Sequence, residues 1–208
     1  MIVNSSWNKN LFLVVFWLIT SVTFAQDIAF KSSNFKEDKQ GLKLAKENIE
    51  IADEMRDEGI ENILSMQEDI VLFIQAIFHY QKAQDFNSNN AELNYKIGSS
   101  YLFTNQKEKA ADYLLRASEL TTDLPSDFLF FYAMSLQLQG DYFQAGKQFE
   151  QFKLSAKSKV YERYELLAKK YTKECQGANE ILANSHRTWV DNIALNTEFD
   201  DWSPCLSA

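Results

Sequence analysis

The residues that most often carry chemistry are few in this chain of 208 residues, and they are not grouped. His79 and His186 are the only histidines, they lie far apart in the sequence, and neither belongs to an HExxH-like metal motif. Neither Cys175 nor Cys205 is placed beside a histidine in a way that would activate its thiol. We therefore expect no enzyme activity, no metal and no cofactor, with His79 at the surface or at the boundary of the core.

Two pairs of neighbouring acids are the remaining candidates for acid–base catalysis or calcium binding. They are Glu68-Asp69 and Asp200-Asp201, and the rest of such a site is missing around both pairs. Solvated charge or turn capping is therefore the favoured interpretation. The sequence contains neither a phosphate-binding Gly-rich loop nor a G-x-S-x-G motif.

The charge balance of the chain restricts its partners. The net charge is −8 at pH 7, because 29 acidic side chains outnumber 21 basic ones. Nucleic acid and anionic lipid both attract basic patches, so we exclude nucleic acid and a simple electrostatic attachment to lipid. Two cysteines are too few for a disulfide-stapled domain. A Cys175–Cys205 bridge stays open, although Cys175 falls on an apolar helical stripe where a buried free thiol is favoured.

The first 25 residues have the features of a secretory signal peptide. Lys9 precedes an apolar run that includes Leu11–Ile19, and Thr23 and Ala25 supply small side chains before a cleavage site at Gln26. The run is shorter than the roughly 20 residues of a membrane-spanning helix, and a retained anchor is the alternative. The residue directly after the cleavage site is Gln26 and not a cysteine, so lipid modification of the new N-terminus is not supported. We expect an exported chain with no stable transmembrane segment after cleavage.

Helical periodicity fills the chain between Phe35 and Leu182. Only six glycines and two prolines occur in the whole sequence. Apolar residues between Leu42 and Met55 step by three and four, which is one face of an α-helix. Gly59 interrupts this pattern. Between Phe35 and Leu182, the sequence therefore predicts one helix after another.

A repeat of about 34 residues organises these helices. With Ala91 as its first position, six positions hold the residue class that the tetratricopeptide repeat requires. Small residues are expected where the two helices of a pair cross closely, and large ones where pairs pack together. The six residues are Ile97, Gly98, Tyr101, Ala110, Leu114 and Ala117. Asn94 and Thr122 depart from the pattern, since Trp and Pro are preferred at their positions.

Two further units flank this repeat. The unit from Ser126 supplies Ala133, Gly140, Ala145 and Phe149, and the preceding unit supplies Ala76, Tyr80 and Ala83. Phe152 stands where a small residue is usual, so we expect looser packing against the next helix. That next helix has apolar steps of three and four from Val160 to Leu182, which indicates a capping helix. The predicted fold is all-α, with about three helix pairs, a C-terminal capping helix and a short extended tail.

In such a stack, the first helix of each unit lines a concave groove. The predicted groove residues are Glu92, Tyr95, Ser99, Leu102, Phe103, Asp127, Phe130, Met134, Gln137 and Leu138. A clamp for a terminal carboxylate needs Lys and Asn, which these positions lack. Aromatic and aliphatic groups with an acidic rim favour an apolar or basic segment of a protein partner. Alternatively, these residues pack against the lengthened first helix or a further domain of the same chain.

Two stretches carry a resemblance to a known family. The repeat with Asn94-Tyr95-Lys96-Ile97-Gly98 and the segment 195–208 resemble Gram-negative envelope proteins with tetratricopeptide repeats, a WD-type β-propeller and an OmpA-like domain. The segment is similar to the start of the first propeller blade. The resemblance implies a periplasmic scaffold at the outer membrane. It also implies that peptidoglycan is bound only by a domain that this chain lacks.

The sequence thus predicts four regions along the chain. They are a signal peptide (1–25), a linker (26–34), a helical repeat stack (35–184), and a linker with the start of a propeller (185–208). We expect a non-enzymatic adaptor of the cell envelope. The alternatives are a self-contained periplasmic adaptor and, less favoured, an accessory domain of an enzyme.

Overall fold

Seven α-helices make up most of residues 26–67 and 70–184, which are the residues described by the computed structural model. They are α1 (Lys39–Leu64), α2 (Ile70–Phe86), α3 (Ala91–Tyr101), α4 (Ala110–Leu120), α5 (Phe128–Leu138), α6 (Tyr142–Ser155) and α7 (Ser158–Ala183). A short 3₁₀ helix, Lys107–Lys109, precedes α4. The described residues contain no strand. The predicted all-α fold is confirmed.

Polar side chains determine where several helices begin. Asp38, Asn90 and Asp141 each accept a hydrogen bond from the backbone N–H three residues later, at 2.7, 2.9 and 3.1 Å. These bonds satisfy amide groups that have no partner within the helix, and they begin α1, α3 and α6. Gly140 lies two residues after the end of α5 and has a φ of +83°, a backbone conformation that residues other than glycine rarely adopt. The chain can therefore reverse direction between α5 and α6.

Neighbouring helices form three pairs, α1 with α2, α3 with α4, and α5 with α6, and α7 packs on α6. The first helices of successive pairs lie side by side and run parallel. Asp53 of α1 contacts Lys96 of α3, and three residues further along, Arg56 of α1 contacts Ser99 of α3. We call α1, α3, α5 and α7 the parallel layer.

The helices α5 and α7 continue the parallel layer. The rings of Phe130 and Tyr164 stack with centroids 4.7 Å apart. Further along both helices, Gln137 Nε2 donates to Glu174 Oε2 at 3.1 Å. The carboxyl ends of α1, α3, α5 and α7 therefore lie toward the same edge of the molecule.

Two glycines allow helices to approach closely. A Cβ atom on Gly98 would lie 2.8 Å from Leu114 Cγ and 3.0 Å from the carbonyl oxygen of Ala110, where α3 crosses α4. A Cβ atom on Gly59 would lie 2.8 Å from the Phe73 ring. Gly59 does not interrupt α1, as the sequence pattern suggested, because its role is to admit the Phe73 ring against a continuous helix.

Two positions that depart from the repeat pattern are fully packed. Asn94 is 1% exposed, and its amide donates to the carbonyl oxygens of Ser88 and Asn90 at 3.0 and 2.8 Å. Phe152 is fully buried, with its ring 5.5 Å from that of Phe130. The looser packing predicted at Phe152 is wrong, because aromatic rings of α5 and α7 surround this large side chain.

The segment before α1 is held against the turn between α2 and α3. Asp27 Oδ1 accepts from the backbone N–H of Ala91 at 2.8 Å, and the backbone N–H of Ile28 donates to the carbonyl oxygen of Asn89 at 2.7 Å. Phe30 stacks with Phe86 at 6.4 Å between ring centroids. This part of the predicted linker is therefore packed onto the helices.

Several sequence predictions fall on residues that the structure does not describe. They concern the signal peptide, the acidic pairs, His186, Cys205 and the segment 185–208. Among the described helices, none has both the length and the apolar character that a membrane span requires. Cys175 is fully buried with a free thiol, and burial raises the pKa of that thiol.

Candidate functional site

Arg56 of α1 is the one buried charged side chain in the described part of the chain, with 7% of its surface exposed. Its Nε and Nη2 donate to Ser99 Oγ at 3.2 and 3.1 Å, and Nη2 also donates to Tyr95 Oη at 3.0 Å. The guanidinium carbon lies 5.3 Å from the centroid of the Tyr95 ring and 5.7 Å from that of Phe131. Cation–π contacts and hydrogen bonds thus compensate for the loss of water.

The protonation states of this cluster follow from burial. Burial raises the pKa of Tyr95 well above its ordinary value, and Asp127 acts in the same direction while Arg56 opposes it. Tyr95 therefore keeps its proton, accepts from Arg56 and is hydrogen-bonded to Asp127. For Arg56, burial disfavours the charge, but the oxygens of Tyr95, Tyr80 and Asp127 outweigh this effect, and the pKa of Arg56 lies above its ordinary value.

Tyr164 of α7 closes the same cluster, and its hydroxyl oxygen is buried without a hydrogen-bond partner. Burial raises the pKa of Tyr164 to about 12, with Asp127 acting in the same direction and Arg163 opposing it. An unpartnered buried hydroxyl costs about 1–3 kcal/mol. The cluster around Arg56 is therefore incompletely satisfied on the side of α7.

The first and last helices of the parallel layer contact each other beside this cluster. Arg163 of α7 donates to Glu61 of α1, and the two side chains are 36% and 65% exposed. Glu61 follows Arg56 by five residues on α1, and the ion pair and the buried cluster together connect α1, α3 and α7.

The ten predicted groove residues differ in their exposure. Four are buried, namely Tyr95, Ser99, Leu102 and Phe130. Four are half-buried, namely Phe103, Asp127, Met134 and Gln137. The exposed residues are Glu92 and Leu138. The middle of the predicted groove is filled by the chain itself, because Arg56 and Tyr164 occupy it.

Phe130, one of the predicted groove residues, does not reach the surface. Its ring is fully buried and packs against Phe131, Phe149, Phe152, Tyr164 and Tyr171. The hydroxyl groups of Tyr95 and Ser99 accept hydrogen bonds from Arg56. Phe103 is half-buried, and its ring stacks on Phe73 with centroids 4.7 Å apart. In this conformation these side chains hold the fold together, and a direct role for them in partner binding stays a prediction.

Two cavities lie on either side of the filled middle. The first has a volume of about 530 Å³ and lies between α1, the start of α3 and the segment 29–31. We call it the acidic cleft, because its lining includes Glu50, Asp53, Glu54, Asp57 and Glu92.

The charges of the acidic cleft are only partly neutralised. Lys96 lies 2.8 Å from Asp53 and 3.0 Å from Glu92, and Asp53 also accepts from the Tyr80 hydroxyl at 2.6 Å. Glu50 and Glu54 form no ion pair with the described residues. They lie one turn apart on α1, so their carboxylates are on one side of that helix.

The walls of the acidic cleft also carry apolar groups, contributed by Phe30, Ile49 and Leu93. Lys31 and Lys46 stand at the same walls. The cleft can therefore accept a cationic group next to an apolar one, provided that the cation is placed near Glu50 and Glu54.

The second cavity has a volume of about 440 Å³ and lies toward the carboxyl ends of α1, α3 and α5. We call it the apolar pocket, and its apolar lining consists of Ile63, Ile70, Leu102, Phe103, Met134 and Tyr171. Lys107 contributes the one charge of this lining. Three predicted groove residues, Leu102, Phe103 and Met134, are therefore brought together here.

The described residues contain no group of three or more side chains that could hold a metal ion. His79 is half-buried, with its Nδ1 atom 2.9 Å from Asn48 Oδ1, which agrees with the predicted boundary position. No family model matches this chain, and no curated protein or solved structure shows significant similarity to it.

Sequence reasoning missed the residues of α1 that build the site. Arg56 falls one turn after Ala52 and three residues before Gly59, on the apolar stripe of α1. The sequence signal that could have identified Arg56 is the presence of a basic residue on an otherwise apolar stripe of the helix. The acids Glu50, Glu54 and Asp57 looked like ordinary solvated charge, because nothing local shows that α3 stands opposite them.

Proposed function

We propose that this chain is a non-enzymatic scaffold that binds a basic segment of a protein partner in the acidic cleft. The observation that carries this proposal is the cleft itself, which combines an unneutralised pair of carboxylates with apolar walls. A segment with lysine or arginine next to an apolar residue would complement both features. Helix pairs stacked side by side commonly present such partner-binding surfaces.

We further propose that the helix pairs are tetratricopeptide repeats of an exported envelope protein. The repeat pattern from Ala91 to Ala117 and the signal-peptide features of residues 1–25 support this proposal. The resemblance to envelope proteins with an OmpA-like domain favours a periplasmic location at the outer membrane. Under this proposal the cleft serves as the adaptor surface, and any hold on peptidoglycan belongs to a domain outside this chain.

Binding of a short fluorescent peptide of alternating lysine and leucine would test the acidic cleft. We expect saturable binding that weakens with salt, because exposed charges are screened beyond about 10 Å at 0.1 M ionic strength. Glu50→Gln together with Glu54→Gln should weaken binding about tenfold, which corresponds to about 1.4 kcal/mol. Fluorescence anisotropy measures both effects.

The matched control uses two acids of the same helix that do not line the cleft. Glu47→Gln together with Glu58→Gln removes the same charge from α1 and should leave binding within about twofold, because surface charges farther from the peptide contribute little. Equal losses in both double variants would show that only net charge matters. Binding of a glutamate–leucine peptide with similar affinity would also contradict the proposal.

Fractionation of the native producer tests the proposed location. An antibody against residues 26–184 should detect the protein in the periplasmic or outer-membrane fraction, with residues 1–25 removed. Co-sedimentation with peptidoglycan would support the wall-anchored form, and a soluble periplasmic band would support the self-contained adaptor. A cytoplasmic band that retains residues 1–25 would contradict export.

A further inference from the structure

The apolar pocket lies toward the carboxyl ends of the helices of the parallel layer. Its lining comes from the carboxyl-terminal parts of α1, α3 and α5 together with Tyr171 of α7. Since α7 runs parallel to α5, the chain leaves α7 toward this same edge. Tyr171 lies twelve residues before Ala183, a distance of about 18 Å along a helix.

The segment after α7 is long enough to return to the pocket. From Asn184 to Trp202 the chain has eighteen steps, which span up to roughly 60 Å when extended. A reach of about 18 Å is therefore available without any strain on α7. The pocket and the segment are also tethered in one chain, which gives the segment a high effective concentration at the pocket.

Charge complementarity selects one part of that segment. Residues 198–202 read Glu-Phe-Asp-Asp-Trp, with three acids beside two aromatic rings. Lys107 lines the pocket, and beside it Lys170, which pairs with Glu174 at 3.9 Å, lies 5.6 Å from the centroid of the Tyr171 ring. By contrast, Trp189 follows His186 and Arg187 in the sequence, so its neighbours match these lysines less well.

We propose that the apolar pocket is a docking site for residues 198–202 of the same chain, with the Trp202 ring in the pocket. The ring buries its large apolar surface against Ile70, Met134 and Tyr171. The carboxylates of Asp200 and Asp201 face Lys107 and Lys170. This inference goes beyond the proposed function, because it uses a different cavity and an occupant from the chain itself.

Tryptophan fluorescence reports directly on this docking. Trp7, Trp17, Trp189 and Trp202 are the four tryptophans of the sequence, and the first two lie within residues 1–25. In the chain from residue 26 onward, Trp189→Phe therefore leaves Trp202 as the single fluorophore. We expect its emission to be blue-shifted and protected from acrylamide at low protein concentration.

Two substitutions on α2 form a matched pair for this measurement. Ile70 lines the pocket and is 42% exposed, whereas Ile74 lies one turn later, is 48% exposed and does not line it. In the Trp189→Phe chain, Ile70→Glu should shift the emission to that of exposed tryptophan and raise acrylamide quenching several-fold. Ile74→Glu should change neither, and circular dichroism should show the same helicity for both.

Three results would overturn the docking. The first is that Trp202 emits at the wavelength of an exposed tryptophan even when α2 carries no substitution. Another is an equal effect of Ile70→Glu and Ile74→Glu. The third is protection that appears only as protein concentration rises, which would assign the pocket to a second copy. Binding of the lysine–leucine peptide should survive Ile70→Glu, so failure of the docking is distinguishable from failure of the acidic cleft.

Discussion

At the scale of single residues, the cluster around Arg56 determines what the middle of the parallel layer can do. The guanidinium group of Arg56 donates hydrogen bonds to both Tyr95 and Ser99 of α3. Tyr164 of α7 lies beside this cluster, and its hydroxyl oxygen has no hydrogen-bond partner. A buried charge with few acceptors depends on every partner that it has. The cluster therefore fixes the relative positions of three helices.

Replacing Tyr164 by Phe should stabilise the protein. The substitution removes a buried hydroxyl oxygen that has no partner and keeps the ring that stacks on Phe130. We expect a gain of about 1 kcal/mol in the free energy of unfolding, measured by urea denaturation. A loss of similar size would show that the hydroxyl is satisfied in solution. Tyr161→Phe, at a half-buried ring three residues earlier, serves as the control.

Stability should also fall in alkaline solution because of Tyr164. Its pKa is raised to about 12 in the folded chain, whereas an ordinary tyrosine titrates near 10. The contribution to stability is complete below pH 10 and is lost as pH rises from 10 to 12, since the unfolded chain ionises first. Melting temperatures across this range should fall less steeply for Tyr164→Phe. Parallel curves for the two proteins would contradict the raised pKa.

At the scale of helices, close crossings and caps set the geometry of the pairs. Gly98 faces Leu114 and Ala110 at distances that leave no room for a side chain, and Gly59 has the same relation to Phe73. These contacts arise between helices that are neighbours in the sequence. They are therefore the parts of the fold that local sequence patterns predict best.

Two glycine-to-alanine substitutions should have opposite effects. Gly98→Ala places a methyl group 2.8 Å from Leu114 Cγ and should cost about 1–3 kcal/mol of stability. Gly177→Ala, within α7, meets nothing within 4 Å and should instead add about 0.5–1 kcal/mol through helix propensity. Chemical denaturation of both variants measures these changes. If Gly98→Ala melts normally, the close crossing of α3 and α4 is absent in solution.

At the scale of the whole molecule, the contact between α1 and α7 lies between the residues of α1 that line the acidic cleft and those that line the apolar pocket. The Glu61–Arg163 pair joins residues that are far apart in the chain, beside the cluster around Arg56. On α1, the residues that line the acidic cleft precede Glu61, whereas Ile63 of the apolar pocket follows it. The two cavities can therefore take different occupants.

A charge-swap cycle tests the contact between Glu61 and Arg163. Glu61→Arg and Arg163→Glu should each destabilise the chain slightly, and the double variant should recover the loss. The coupling should be about 0.2–1 kcal/mol at low salt, as is usual for exposed ion pairs, and should vanish near 1 M salt. Thermal unfolding of the four proteins gives the coupling energy. A coupling of zero at low salt would mean that α1 and α7 are not held together by this pair.

The sequence by itself determined the helices, their order and the spacing of the pairs. Apolar steps of three and four residues, Asn90, and the small residues Gly98 and Ala110 are local signals. The structure places each of them in the kind of element that the signal indicates. Gly59 was an ambiguous signal, because a glycine within a helical pattern indicates either the end of the helix or a close neighbouring side chain.

Only the tertiary structure decided which side chains are open to a partner. Glu92 and Tyr95 lie on the same helix three residues apart, yet one lines the acidic cleft and the other is buried under Arg56. The difference depends on where α1 and α7 lie over α3 and α5. Those contacts join residues that are far apart in the chain. Helical periodicity does not predict such contacts, because it specifies which face of a helix is apolar but not which other helix covers that face.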